Sequence, residues 1–452
     1  MIIAVNCRLL LKNRLEGIGW FTHETLQRIT RQHPEHQFVF IFDRPFDPSF
    51  IYSDNVFPVV LRPATRHPLL WVWWFEFRIP RLLRRIKADL FFSPDGYLSL
   101  RSRVPAIPVI HDINFAHRPK DLPRWPRWYY NNFFPLFARK AYRICTVSRY
   151  SMKDIAQTYG VARALIHVVH NGAHAQYAPL DEDVKQEVRE QYSGGVPYFV
   201  FVGSMHPRKN LDNLLAAYAR FRKESPVDVR MVVVGERMWG KFRGLKPPGI
   251  DMLKPQGIDM LKPQGMDMLK PKGMEMLKPQ GMDMLKAQGI DMLKPQGIEP
   301  MQQCGEIHCR GLKSPAMEDD SRVYFTGRLE PDELRRVMGA AMALTFVPWF
   351  EGFGIPVVEA MQAGVPVLTS NVTSLPEVGG KAVLYANPGS PEEIASQMLR
   401  LSSDENLRNE LIEKGLAQAR KFSWDKTAKK VWGTLDTFIK GQAMGERKDE
   451  TR

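Results

Sequence analysis

Short apolar runs recur along the chain and alternate with longer stretches in which apolar and polar positions mix. Met1-Ile2-Ile3-Ala4-Val5-Asn6, Gln37-Phe38-Val39-Phe40-Ile41-Phe42, Asp89-Leu90-Phe91-Phe92 and Ile107-Pro108-Val109-Ile110 are nearly continuous in apolar side chains, as buried strands are. Arg143-Ile144-Cys145-Thr146-Val147-Ser148 and His167-Val168-Val169 continue the series. A polar stretch, Asp181 to Gly195, precedes a second series of the same kind. It runs Tyr198 to Gly203, Val229 to Gly235, Val323 to Gly327, Ala343 to Val347 and Val365 to Thr369. Strands alternating with helix-like segments predict parallel sheets covered by helices, an α/β chain of two Rossmann-like domains. The strand endings at Gly203 and Gly235 suggest phosphate-facing turns at a carboxyl edge.

One segment breaks the alternation. Gly249, Gly257, Gly265, Gly273, Gly281, Gly289 and Gly297 fall at a period of eight in a unit Gly-Ile/Met-Asp-Met-Leu-Lys-Pro-Gln. Its prolines forbid a continuous helix, and each unit offers a Met-Leu pair too small to order eight residues. Residues 245–318 therefore read as a disordered low-complexity insert in a surface loop of the second domain.

Composition sets limits. At 452 residues the chain exceeds what one core serves, and 44% apolar with 25% charged residues excludes wholesale disorder. No apolar run reaches the roughly 18 residues of a membrane-spanning helix. The first residues read as a strand rather than an export signal, and four cysteines are too few for a disulfide framework, so a cytoplasmic location is expected. The net charge is +14, and residues 1–183 carry 25 basic against 15 acidic side chains. Such a surface suits nucleic acid, anionic lipid or phosphorylated substrates, or serves solubility alone.

The chemistry concentrates in Phe350-Glu351-Gly352-Phe353-Gly354-Ile355-Pro356-Val357-Val358-Glu359-Ala360-Met361. A glycine-rich turn follows a strand and opens a helix, with Pro356 suited to its first position. Free amides at such a helix start attract phosphate. Glu351 and Glu359 would be repelled by phosphate, so hydroxyl groups are their natural partners, and the combination suits a ligand with both diphosphate and sugar rings. A buried strand-turn-helix with solvated glutamates is the alternative this fragment leaves open.

Around this segment the chain resembles the retaining glycosyltransferases of family four, of the two-domain GT-B fold, which carry two glutamates separated by seven residues. The resemblance extends through Ala363-Gly364-Val365-Pro366-Val367 and Asn371 to Val378. It includes Phe201-Val202-Gly203-Ser204-Met205-His206-Pro207-Arg208-Lys209-Asn210-Leu211, Phe325-Thr326-Gly327-Arg328-Leu329 and Phe422-Ser423-Trp424. In the first half it takes in Gly17-Ile18-Gly19-Trp20, His111-Asp112, Thr146-Val147-Ser148 and His170-Asn171-Gly172. Only about 236–320 lies outside it. It implies an acceptor domain over 1–183, a donor domain over 184–425, and a tail over 426–452 whose helix returns to the first domain.

Roles follow from that resemblance. Arg208 and Lys209 would neutralise the donor diphosphate, most strongly as the nucleoside diphosphate departs. Glu351 would contact the transferred sugar and Glu359 the ribose, with the amides of Gly352, Phe353 and Gly354 beside sugar and diphosphate. Gly203, Ser204 and Arg328 belong to the same donor site, Gly17 and Gly19 would lie across the cleft near the diphosphate, and His111 would hold the sugar's reacting face. A nucleotide diphosphate hexose, with mannose as the guess, would pass with retention to a glycan or lipid-linked glycan in surface polysaccharide or lipopolysaccharide synthesis. No metal, other cofactor or nucleic acid is expected.

Cys304-Gly305-Glu306-Ile307-His308-Cys309 offers at most three ligands and reads as loop rather than a zinc site. Leu69-Leu70-Trp71-Val72-Trp73-Trp74-Phe75, followed by Arg78, Arg81, Arg84 and Arg85, has the composition of a segment at a lipid headgroup surface, or of a buried aromatic helix with a basic turn. The first reading implies peripheral contact with an anionic membrane on its inner face. Two rivals stand beside the glycosyltransferase: another GT-B enzyme, such as a phosphorylase or sugar-nucleotide epimerase, and a basic RNA- or membrane-binding protein.

Overall fold

The computed structural model describes residues 1–236 and 322–449. The octapeptide array and the Cys304–Cys309 segment lie outside the described residues. Strands apolar on both faces need helical cover on both sides, and the first half supplies it by alternation. Its elements are β1 (Ile2–Asn6), α1 (Gly17–Gln32), β2 (Gln37–Phe42), β3 (Val56–Val60), α2 (Pro68–Trp73), α3 (Ile79–Arg85), β4 (Leu90–Ser93) and β5 (Ala106–Pro108). α4 (Asn114–His117), α5 (Arg124–Lys140), β6 (Ile144–Thr146), α6 (Arg149–Tyr159) and β7 (Ile166–Val168) follow. Parallel strands run β3-β2-β1-β4-β5, and a single bridge, Val109 to Cys145, leads on to the β6–β7 pair.

The second half contains α7 (Glu182–Ser193), β8 (Tyr198–Val202), α8 (Leu211–Glu224), β9 (Arg230–Val234), β10 (Val323–Gly327), α9 (Pro331–Gly339) and β11 (Ala343–Phe346). It continues with α10 (Ile355–Gln362), β12 (Val367–Ser370), α11 (Leu375–Gly379), β13 (Leu384–Ala386), α12 (Pro391–Ser403), α13 (Glu405–Ala419) and α14 (Trp424–Asp449). Its strand order is β10-β9-β8-β11-β12-β13, all parallel. Both sheets thus reverse direction beside their first strand, between β1 and β4 and between β8 and β11, and ligands of open parallel sheets bind at such points.

Two strands escape the apolar pattern. β3 carries Pro58, which is tolerated because β3 is an edge strand, and β13 has only three residues. The last helix crosses back. Trp424, Ala428, Val431, Leu435 and Phe438 repeat every three or four positions and enter the core formed by Ile3, Phe38, Phe40 and Phe92. The crossing is tight: Ala173 bridges Ser423, and a Cβ on Gly172 would stand 2.3 Å from the Trp424 amide nitrogen.

Candidate active site

The reversal in the second sheet brings the loops after β8 and β11 side by side. After β8 the chain leaves through Gly203, at φ 150°, into a single 3-10 turn at Pro207–Lys209. Asn210 ends that turn in the left-handed region at φ 61° and is buried. Its Nδ2 donates to the Val347 carbonyl at 2.9 Å and the Pro388 carbonyl at 2.7 Å, tying this loop to the two that follow β11 and β13. The Trp349 amide donates to the Arg208 carbonyl at 2.8 Å. Arg208 and Lys209 are therefore fixed by backbone and amide contacts before any charge is considered.

Their side chains meet one carboxylate. Lys209 Nζ donates to Glu351 Oε2 at 2.6 Å, and Arg208 Nη1 donates to the same oxygen at 2.8 Å and to the Phe350 carbonyl at 3.1 Å. Burial alone would raise the Glu351 pKa, but Lys209 and Arg208 overcome it and hold the carboxyl below its ordinary range. Burial, reinforced by Arg208, drives Lys209 down to about 8 despite Glu351. Gly203 lies beside this lysine: its Cβ would stand 3.8 Å from Lys209 Cε.

Gly352, Phe353 and Gly354 carry the chain from Glu351 into α10. Gly354 is the helix cap at φ 102°, no side chain caps that end, and Pro356 occupies the second helical position rather than the expected first, Ile355 being the first. Gly352 lies against the first half: a Cβ there would come 2.7 Å from the His111 carbonyl oxygen and 2.9 Å from Asp112 Cβ. His111 lies beyond the end of β5, which stops at Pro108. Its Nε2 sits 2.8 Å from the Pro94 carbonyl, which can only accept, so Nε2 carries the proton and Nδ1 remains an acceptor. Burial lowers the His111 pKa, favouring the neutral ring, and Phe21 of α1 meets that ring edge-on at 5.0 Å.

His111, Gly203, Arg208, Lys209, Glu351, Gly352, Phe353 and Gly354 thus converge. The remaining candidates stand around them. Gly17 opens α1, whose N-cap makes no side-chain bond, while a Cβ on Gly19 would meet the Leu9 carbonyl at 3.1 Å. Arg328, exposed after β10, donates to the Asn13 carbonyl at 3.2 Å in the segment leading to α1. The Ser204 carbonyl accepts from the His206 amide at 2.8 Å within the turn. Glu359 lies apart from the cations: burial pushes it up to about 7, a hydrogen bond with Tyr177 opposing.

Two further residues carry weight. Asn210 sets the path of the cation loop, as described. Glu377 of α11 accepts the Arg149 and Tyr150 amides at the start of α6, at 2.9 Å and 3.2 Å, and pairs with His170 Nε2 at 2.7 Å. Both lie inside the motif segments, but a polar side chain that serves backbone amides or carbonyls produces no charge pair or spacing to read.

Among the described residues no group of three His, Cys, Asp or Glu side chains could hold a metal ion. Asp181-Glu182-Asp183 is an Asp-x-Asp triplet in the sequence. It begins α7, where Glu182 pairs with Lys185 and Arg189.

Two family models match: Glycosyltransferase Family 4 over residues 15–177 and Glycosyl transferases group 1 over 316–418. The O-antigen chain mannosyltransferase B of Escherichia coli is 26% identical over 76% of this chain and 73% of its own length. The serotype-specific mannosyltransferase WbdA of Escherichia coli reaches 41%, but over 24% of this chain and 13% of its own. In fold, Anabaena HepE in complex with UDP and glucose superposes with a TM-score of 0.63 at 15% identity, covering 97% of this chain and 100% of its own. WaaG, a glycosyltransferase involved in lipopolysaccharide biosynthesis, gives 0.60 at 14% identity over 95% and 98%. The chain belongs to the family-four glycosyltransferases, built on the GT-B fold.

Proposed function

We propose that this glycosyltransferase works with retention, moving a hexose from a nucleotide diphosphate sugar to a glycan or lipid-linked glycan in polysaccharide synthesis. The carrying observation is the cation pair, half-buried Arg208 and buried Lys209, sharing the Glu351 carboxylate beside the uncapped start of α10. Mannose is the sugar favoured by the names of the two Escherichia coli relatives. The region boundaries 1–183, 184–425 and 426–452 complete the reading as acceptor domain, donor domain and returning helix. The acceptor side faces the inner surface of the cytoplasmic membrane. This reading makes the contact there peripheral. Among the described residues no helix is long and apolar enough to cross a membrane.

In this reading the diphosphate sits on Arg208, Lys209 and the amides of Gly352 to Gly354, with Gly203, Ser204 and Arg328 along its rim and Gly17 and Gly19 opposite. Glu351 turns to the sugar hydroxyls, Glu359 to the ribose, and His111 holds the reacting face. The bond between the sugar's anomeric carbon and the phosphate oxygen breaks while the acceptor oxygen bonds to that carbon on the same face. The acceptor proton passes to the departing phosphate. The cations stabilise the charge that develops there, and this lowers the barrier.

A thermal-shift series with GDP, UDP, GDP-mannose and UDP-glucose tests the donor. Stabilisation by one nucleotide family, lost in Lys209→Ala, supports the site. The anomeric configuration of the product by NMR decides retention, and an inverted product overturns it.

A further inference from the structure

Seven large apolar side chains are exposed among the described residues, and five of them sit on two elements that touch. Leu69 is 62% exposed and Trp73 46% on α2, and Trp125 60%, Trp128 49% and Leu136 43% on α5. The elements are joined by Trp71, whose ring meets Tyr129 edge-on at 5.2 Å and stacks on Tyr130 at 5.8 Å. On α5 the helical period divides the residues cleanly: Tyr129 and Phe137 are buried, while Trp125, Trp128 and Leu136 face out. Trp73 is braced by stacking on Phe77 at 5.0 Å, and the Arg101 guanidinium lies 4.4 Å over that second ring. Single exposed apolar residues need no explanation, but five gathered on one face do.

The segments that carry this face are basic. Residues 62–140 hold 15 Lys and Arg against 5 Asp and Glu, and two of those acids, Glu76 and Asp95, are buried. Arg124 and Arg127 flank the α5 tryptophans, and α3 carries Arg81, Arg84 and Arg85 onward from α2; none of the five makes an ion pair among the described residues. Tryptophan tips set among arginines without ion-pair partners match the headgroup layer of an anionic bilayer, where the ring meets acyl chain and the guanidinium meets phosphate. A second copy fits poorly, because a two-fold contact would press this positive face against itself. Nucleic acid would leave Leu69 and Leu136 unused.

The face also borders the active site. His117, the last residue of α4, stacks on Phe350 at 5.7 Å, and the Arg118 guanidinium lies 5.8 Å from the Trp349 ring. We propose that the outer faces of α2 and α5 are a docking surface for an anionic lipid bilayer. Leu69, Trp73, Trp125 and Trp128 enter the headgroup layer while Arg124 binds its phosphates. This deepens the reading of a membrane-side acceptor and rests on it for its purpose, but its test uses neither donor nor acceptor.

The full chain is floated with vesicles of phosphatidylcholine alone and of phosphatidylcholine with phosphatidylglycerol in equal parts. It should float with the second at low salt and not with the first. Trp125→Ala with Trp128→Ala should lower partitioning at least about tenfold while GDP or UDP stabilisation stays as in the parent. Trp125→Phe with Trp128→Phe should retain most of it. Failure of the parent to float, or equal flotation of the double alanine variant, overturns the proposal. So does light scattering that shows a dimer abolished by the alanine pair, since a second copy then covers this face. Loss of nucleotide stabilisation with flotation intact sinks the donor reading and leaves the docking surface standing.

Discussion

Glu351 is the counter-ion of Lys209: its carboxylate oxygen lies 2.6 Å from the ammonium and shares itself with Arg208 at 2.8 Å. The group proposed for the sugar therefore competes with the diphosphate for the same two cations. In the proposed reading a nucleoside diphosphate takes the cations and releases the carboxylate toward the sugar beside it, which would make donor binding and the orientation of Glu351 one event.

Glu351→Gln separates the two effects. The amide no longer neutralises Arg208 and Lys209, so free GDP or UDP should bind at least as tightly as to the parent. Sugar transfer should fall by about 100-fold, because the charged hydrogen bond to the sugar is lost. Isothermal calorimetry with the nucleotide and a transfer assay measure both. Weakened nucleotide binding together with slower transfer would show that Glu351 supports the cations rather than opposing the phosphate.

Lys209 gives the donor step a pH limit. Burial, chiefly, brings its pKa down to about 8. A diphosphate favours the charged form and raises that pKa, so binding takes up a proton above about pH 8. Donor affinity should be level below that point and decline above it. Lys209→Arg stays charged and should flatten the alkaline limb, whatever it costs in absolute rate. Plots of kcat/KM against pH for both proteins check this, and a parent profile flat through the alkaline range would refute it.

The buried strands were legible because β2, β4 and β8 are apolar at nearly every position. β3 was hidden by Pro58, whose place at a sheet edge is a tertiary fact. The cations and the glutamate pair were legible as charges at a characteristic spacing. That Arg208 and Lys209 both bond to Glu351 was not, since it depends on β8 and β11 being neighbours in space. Asn210 and Glu377 act by supplying hydrogen bonds to backbone groups of distant segments, and no local pattern announces such a task.

Gly352 marks where the halves touch. A methyl there would press to 2.7 Å from the His111 carbonyl and 2.9 Å from Asp112 Cβ, contacts that backbone cannot yield without the halves parting. Gly352→Ala should therefore lower kcat by about 100-fold, as a misplacement of about 1 Å suffices for such a loss. The melting temperature should fall by only a few degrees, because the junction is strained while each sheet keeps its own core. Crystal structures of the variant with GDP or UDP would show a wider gap at His111, and full activity would mean that the contact relaxes locally.

Glu377 ties the halves together a second way. It accepts two amides at the start of α6 and the His170 ring, and although burial raises its pKa, His170 and those amides prevail and hold it below the ordinary carboxylate range. A carboxylate stabilised in this way contributes fully above its unfolded pKa, and that contribution disappears as pH falls through the lower folded value. Glu377→Gln keeps one acceptor but loses the charge opposite the helix start and the histidine, a cost of about 1 kcal/mol. At neutral pH the variant should melt a few degrees below the parent, and the gap should close in acid once the parent carboxylate is protonated. Melting curves taken from neutral pH downward follow this convergence. A gap that persists unchanged in acid would mean that shape, not charge, makes Glu377 useful.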